Sequence, residues 1–333
     1  MQRKYVTFSK NVFIPLTDAC RNRCSYCGFR SDAPTIMGRD AVLELLRRGS
    51  AAGCKEALFT FGEAPEVYPE IKARLEEWGY ERVIDYLYDL CLDAIDMGLL
   101  PHSNPGVVTR KDLELLQDVN ASMGLMLESS SPRLCEEGMP HEKSPGKLPK
   151  ARLKVLEEAG RLGIPFTTGV LIGIGETEEE VKESLQAIWR VHDRHGHIQE
   201  IIIQNFRPKS GTPMAGYPEP PLSRLIDALE YARELFPDTG LQVPPNLNPG
   251  RMGLFLRHGA NDFGGISPVT PDFVNPDDRW PREGHLRRAA EKEGYRLRER
   301  LPVYPGFIAF VPERLKTIVA SYVDKDGFVN AAR

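Results

Sequence analysis

Short apolar runs alternate along this chain with longer stretches in which apolar residues recur every three to four positions. The runs read as strands at 11–16, 56–61, 99–102, 122–127, 165–172, 199–204, 241–243 and, from a fainter pattern, 261–264. Helical periodicity fills the gaps at 39–52, 81–96, 110–119, 150–162, 178–192 and 223–235, then at 252–257 and 285–299. Thr177 and Glu180 have capping-box spacing, and Glu176, Glu178 and Glu179 suit a helix amino terminus, so that acidic run needs no catalytic account. Eight strand-helix units without a break in composition predict an α/β fold, one TIM-type (β/α)8 barrel domain over 1–333. The pattern is weakest in the last two units, within 241–333, where the barrel is open to being incomplete.

Composition narrows the partners. The 333 residues are 41% hydrophobic and carry a net charge of -4 with both signs interspersed. No basic stripe is present, which argues against a nucleic-acid partner and for a small molecule. The longest apolar runs, such as 169–174, are too short to span a bilayer, and the amino terminus leads into no apolar signal region. The expectation is a cytoplasmic protein with no membrane partner.

Cys20, Cys24 and Cys27 follow the first strand in a C-x3-C-x2-C spacing. Three thiolates on one short loop hold three irons of a 4Fe-4S cluster and leave the fourth iron for a ligand that is not protein. An open metal position means chemistry. Six cysteines in the whole chain are too sparse for a disulfide framework, and no second C-x2-C or nearby His pair completes a structural zinc site. No second cluster of cysteines suggests an auxiliary iron-sulfur centre. Cys54 and Cys91 fall in or beside helical patterns as small buried hydrophobes, and Cys135 lies in a loop. The spacing, with the aromatic Tyr26 before the third cysteine, resembles the radical S-adenosylmethionine (SAM) superfamily. In that superfamily the methionyl amine and carboxylate chelate the fourth iron, and an electron from the cluster releases a 5'-deoxyadenosyl radical.

Active sites of such barrels are built from the loops after each strand. Gly62-Glu63, after the second strand, resembles the superfamily's Gly-Gly-Glu segment that meets the SAM amino group, with Phe61 in place of the first glycine. Glu128, at the end of the fourth strand, interrupts an apolar pattern and needs a cationic or hydroxyl partner. The resemblance makes it a ribose or amino contact and makes Arg152 a partner of the SAM carboxylate, a task suited to a planar guanidinium. Gly173 and Ile174 would meet the adenine. Among the histidines, His192, His195 and His197 lie at the far end of a helix, whereas His102 follows the third strand and His141 lies in a loop able to cover the site. None is assigned a proton-transfer role.

A closer resemblance runs through nearly the whole chain. It rests on Phe13-Ile14-Pro15-Leu16-Thr17, Ser144-Pro145-Gly146-Lys147, residues 164–176 and 198–206, and residues 261–270 followed by Asn275-Pro276. These segments are similar to the CofG family of 7,8-didemethyl-8-hydroxy-5-deazariboflavin (FO) synthase subunits, which act in coenzyme F-420 biosynthesis. The resemblance implies a 4Fe-4S cluster, SAM, a low-potential electron donor and a CofH-type partner enzyme. That partner joins a 4-hydroxybenzyl group to 5-amino-6-ribitylaminouracil. The family then closes the deazaflavin ring with loss of ammonia, a carbon-nitrogen lyase reaction. Gln204, Asn205, Asn246 and Asp262 are the expected uracil or ribityl contacts. Another radical SAM enzyme, of the CofH, menaquinone or biotin-synthase kind, and a metal-binding scaffold without radical chemistry are the alternatives.

Overall fold

The computed structural model describes residues 5–330. Nine strands are found among them: β1 (Tyr5–Ile14), β2 (Glu56–Thr60), β3 (Leu100–Asn104), β4 (Ser122–Gly124), β5 (Phe166–Ile172), β6 (Ile198–Asn205), β7 (Gly240–Gln242), β8 (Asp262–Ile266) and β9 (Arg296–Arg300). The helices are α1 (Arg39–Ala51), α2 (Pro69–Glu77), α3 (Val83–Asp96), α4 (Arg110–Gln117), α5 (Pro149–Leu162), α6 (Glu178–His195), α7 (Leu222–Leu235), α8 (Met252–Arg257), α9 (Glu283–Lys292) and α10 (Glu313–Tyr322). Strands β1 to β8 pair in parallel in chain order, and β1 pairs with both β8 and β2, so the barrel is closed. The last two units, where the sequence pattern left the barrel open to being incomplete, complete it.

Alternation along β1 sorts the two faces. Val6, Phe8, Val12 and Ile14 join the apolar cluster that includes the surrounding helices, while Ser9, Asn11 and Phe13 point to the barrel interior. The strand begins at Tyr5 rather than at 11, because its first half has a partner of its own: residues 5–9 pair with β9 and residues 11–14 with β2.

Strand β9 corrects the expected helix at 285–299. The helix α9 ends at Lys292, and 296–300 is extended. The alternating charges of Arg296-Leu297-Arg298-Glu299-Arg300 read as a solvated helix face, but Leu297 and Arg300 are buried beneath the barrel. The Arg300 guanidinium donates to Asp262 at 2.7 and 3.0 Å and to Glu200 at 2.9 Å. Beyond it, Leu301, Val303, Val311, Leu315 and Val319 pack with Leu100 and Ala121, so the segment ending in α10 covers the amino-terminal mouth of the barrel. Pro302 accepts hydrogen bonds from Ser122 and Gln199, at 2.7 and 2.9 Å. Helices α2 and α10 were not expected. Both are short, and α10 depends on this cluster.

Burial, together with the Asp262 carboxylate, pushes the Glu200 carboxyl up to about 7, with Arg300 opposing. A carboxyl whose pKa is raised in the folded state contributes stability that is complete below its unfolded value and is lost as pH rises through the folded one. Removing the guanidinium leaves the carboxylates buried without a counter-charge. Arg300→Met is therefore expected to cost about 3–5 kcal/mol in denaturant unfolding at about pH 8, and distinctly less at about pH 5, where Glu200 takes up a proton. An equal deficit at both pH values would contradict this account.

Candidate active site

The cysteine loop leaves the carboxyl end of β1 and folds across the barrel mouth. It packs against Gly62, after β2: a Cβ there would lie 1.9 Å from the Ala19 carbonyl oxygen and 2.8 Å from Cys20 Cβ. Gly62 thus makes room for the cysteine loop. The Gly62 N–H donates to the Thr17 carbonyl at 2.8 Å, and the Glu63 N–H donates to Cys20 Sγ at 3.2 Å. The Glu63 carboxylate is buried and occupied, accepting from Arg21 Nε at 2.7 Å and from the Val107 N–H at 2.9 Å.

Residues 138–147, after β4, clasp the loop from the other side. The Arg23 and Ser25 N–H groups donate to the carbonyls of Lys143 and Pro140, both at 3.0 Å, and the Gly146 N–H donates to Asn22 Oδ1 at 2.8 Å. The Ser144 hydroxyl donates to Cys24 Sγ at 3.3 Å. Asn22, Ser144 and Lys147 had no role assigned from sequence. The run Ser144 to Lys147 carried part of the family resemblance, and its task is visible only once the two loops are in contact.

Glu128 is where these parts meet. It is a rare non-glycine residue with positive φ, 64°. Its carboxylate accepts from the Tyr26 hydroxyl and from Lys147 Nζ, and His141 Nε2 lies 3.3 Å away. Tyr26 also bonds His141 at 2.9 Å. Burial alone would raise the Glu128 carboxyl, but the Lys147 ammonium, with His141 and Arg152 behind it, holds it well below the usual carboxylate range. Arg152 donates to the Met126 carbonyl, and its Nε is buried without a partner.

Cys20, Cys24 and Cys27 line a single cavity of 390 Å³ that runs down into the barrel, together with Tyr26, Glu128 and Arg152. Gln204, Asn205 and Asn246 line it from the ends of β6 and β7. Asn205 accepts from Asn248 at 2.6 Å, whereas Asn246 gives its amide N–H to Asp272 at 2.8 Å and keeps an unpartnered Oδ1. Asn275 and Trp280, which sequence reading passed over as contacts, also line the cavity with unpartnered polar atoms.

Asp262 is placed elsewhere. It is wholly buried at the start of β8, its carboxylate held by Arg300, Thr7 and the Gly264 N–H, and it does not line the cavity. Ile174 packs on Cys24, Tyr26 and Phe206 beneath the loop. Gly173 and Ile174 are tied down by Glu176, whose carboxylate accepts both their N–H groups at 2.8 Å; that acidic residue shapes the loop, while Thr177 and Glu180 form the expected capping box. His102 faces the interior, neutral, its pKa lowered to about 4 by burial, and bonds Ser122 at 2.7 Å. His195 pairs with Glu157 at 2.9 Å, among helices.

The donor set fits a cluster better than a single ion. Among the described residues, no three His, Cys, Asp or Glu side chains converge as one metal ion requires. Three thiols around one cavity instead suit an assembly in which each iron takes its own sulfur. Burial pushes the Cys24 thiol up to about 11, with Lys147 working the other way, so iron would displace a proton there. Arg152 lines the same cavity and keeps a buried, unpartnered Nε, which suits a carboxylate.

Because Gly62 is the contact that seats the loop, Gly62→Ala is expected to fold, by circular dichroism, yet to lose most of the iron and visible absorbance that reconstitution gives the unaltered protein. Full iron retention would show that the loop seats itself without this contact.

Residues 14–188 match the radical SAM superfamily model. Relatives include the 7,8-didemethyl-8-hydroxy-5-deazariboflavin synthase of Methanopyrus kandleri, 51% identical over 331 residues, covering 97% of this chain and 99% of the relative. The protein of the same name from Methanothermobacter thermautotrophicus is 50% identical, covering 96% and 99%. The fold is similar to that of methylornithine synthase, with a TM-score of 0.68 at 20% identity, covering 89% of this chain and 83% of that one. The [FeFe]-hydrogenase maturase HydG gives a TM-score of 0.70 at 18% identity, covering 88% and 65%. Cysteine loop, closed barrel and full-length kinship agree: the chain belongs to the 7,8-didemethyl-8-hydroxy-5-deazariboflavin synthase family of the radical SAM superfamily.

Proposed function

We propose that this protein closes the deazaflavin ring of FO. Its substrate would be the adduct of a 4-hydroxybenzyl group with 5-amino-6-ribitylaminouracil supplied by a CofH-type enzyme, and the reaction would release ammonia. The observation that carries the reading is the meeting of three cysteines and an unsatisfied arginine at the mouth of one deep cavity, in a chain half identical to synthases of that name.

Cys20, Cys24 and Cys27 would hold a 4Fe-4S cluster, with Ser144 and the Glu63 N–H donating to its sulfur ligands. When bound, the cluster and SAM supply an electron from a low-potential donor and a 5'-deoxyadenosyl radical. Arg152 would take the SAM carboxylate. Glu128 and Tyr26 would hold the loop on the barrel and bound the nucleoside side, with Gly62 and Glu63 in the wall and Gly173 and Ile174 supporting the loop from beneath, behind the cavity lining. Gln204, Asn205 and Asn246 offer amides for a heterocycle. The chain's own contribution is to fix reactants against one another and keep water and oxygen away.

The test is anaerobic incubation of reconstituted protein with SAM, a reductant and the CofH-type product. Appearance of 5'-deoxyadenosine together with the fluorescent deazaflavin, both abolished in Cys24→Ala, supports the proposal; deoxyadenosine without deazaflavin points to a different radical SAM substrate. Arg152→Lys keeps the charge but loses the planar fork. It is expected to weaken SAM binding about tenfold, ~1.4 kcal/mol by equilibrium dialysis. Unchanged affinity would remove Arg152 from the SAM site.

A further inference from the structure

Barrels of this class usually fill their interior with branched aliphatic side chains. Here the lower interior is polar. Asn11, Glu56, His102, Thr167 and Glu200 point inward near the strand starts, and Arg300 reaches in from β9; all six line the lower part of the cavity whose mouth holds the cysteines. Most are already tied to neighbours. Glu56 accepts from Ser9, Thr167 donates to Glu200 at 2.9 Å, and His102 bonds Ser122.

Asn11 is different. It is fully buried, and neither its Nδ2 nor its Oδ1 has a partner. Gly265 makes space for it, since a Cβ there would lie 2.3 Å from Asn11 Nδ2. A buried amide with both ends idle calls for a ligand that donates and accepts at once. Above this floor the next inward positions, Phe13, Leu58 and Ile202, form an apolar belt below the cysteine loop.

A polar well under an apolar belt fits a molecule with a flat ring at one end and a run of hydroxyls at the other. We infer that the barrel floor is a subsite for a linear polyol, the ribityl tail of the substrate, which is bound tail down with its ring in the belt beneath the cysteines. The inference rests on the synthase reading above. Hydroxyl groups match the floor because each both donates and accepts, as protonated or hydrogen-bonded carboxyls, a neutral imidazole and an amide require. Burial raises the Glu56 carboxyl and holds His102 neutral, so the well favours an uncharged guest over a cation.

The experiment is equilibrium dialysis of the cluster-reconstituted protein with two probes: the ribityl-bearing deazaflavin product and its analogue carrying a methyl group in place of the ribityl chain. The ribityl compound is expected to bind at least about tenfold more tightly. Asn11→Leu and Thr167→Val are each expected to erase most of that preference while leaving the methyl analogue's affinity within about twofold. The methyl analogue thereby reports that each variant is folded. Equal binding of both probes to the unaltered protein, or variants that weaken both alike, overturns the floor subsite and leaves the synthase reading in place. Binding of neither probe overturns both.

Discussion

One largely buried carboxylate joins the parts of this site. Glu128 sits where β4 has given way to loop, in a left-handed backbone conformation that a side chain rarely adopts, and its oxygens engage the Tyr26 hydroxyl and the Lys147 ammonium, with His141 alongside. Tyr26 belongs to the cysteine loop and Lys147 to the segment that clasps it. A charge so largely withdrawn from water, its side chain 11% exposed, is tolerable only because its partners surround it. Satisfying Glu128 therefore brings the cysteine loop, the clasp and the barrel wall to one place, and Ser144 and the backbone of 138–147 then reach the sulfur side of the loop.

Much of this was legible in the sequence because it depends on local pattern. The period-two and period-3.6 runs located all eight barrel strands, and the cysteine spacing marked the loop. What escaped notice depends on partners far along the chain. Arg296 to Arg300 has the charge density of an exposed helix and becomes a strand only because Asp262 and Glu200 await Arg300 under the barrel. Asp262 was an expected ligand contact through the family resemblance, yet the same distant arginine claims it. Gly62 read as part of a segment that meets SAM; that its missing side chain also lets Ala19 approach depends on a loop much earlier in the chain. Lys147 and Ser144 carry no local signal, since their meaning lies in the surface they touch.

The cavity brings together two environments. At its mouth are thiols and an arginine with an unpartnered nitrogen; at its floor are carboxyl and imidazole groups bonded to their neighbours, beside an amide with both ends unpartnered; between them is an apolar belt. The sheet's alternation produces this layering directly. Along β6, Glu200, Ile202 and Gln204 point the same way, and along β2 so do Glu56, Leu58 and Thr60, so polar, apolar and polar levels are stacked by spacing of two alone.

The pairing of β1 also bears on how the protein comes into being. The strand that presents the cysteines is made first, but its residues 5–9 find one of their neighbours only at 296–300. Such long sequence separation slows the search for native contacts. During synthesis the cysteine loop hangs from a strand lacking that edge until nearly the whole barrel has emerged. A cluster held by these thiols would gain its finished setting only once the chain has closed upon itself, and the nascent polypeptide would carry its thiols for most of translation on an unfinished sheet, where protection from oxidation would have to come from the cell rather than from the fold.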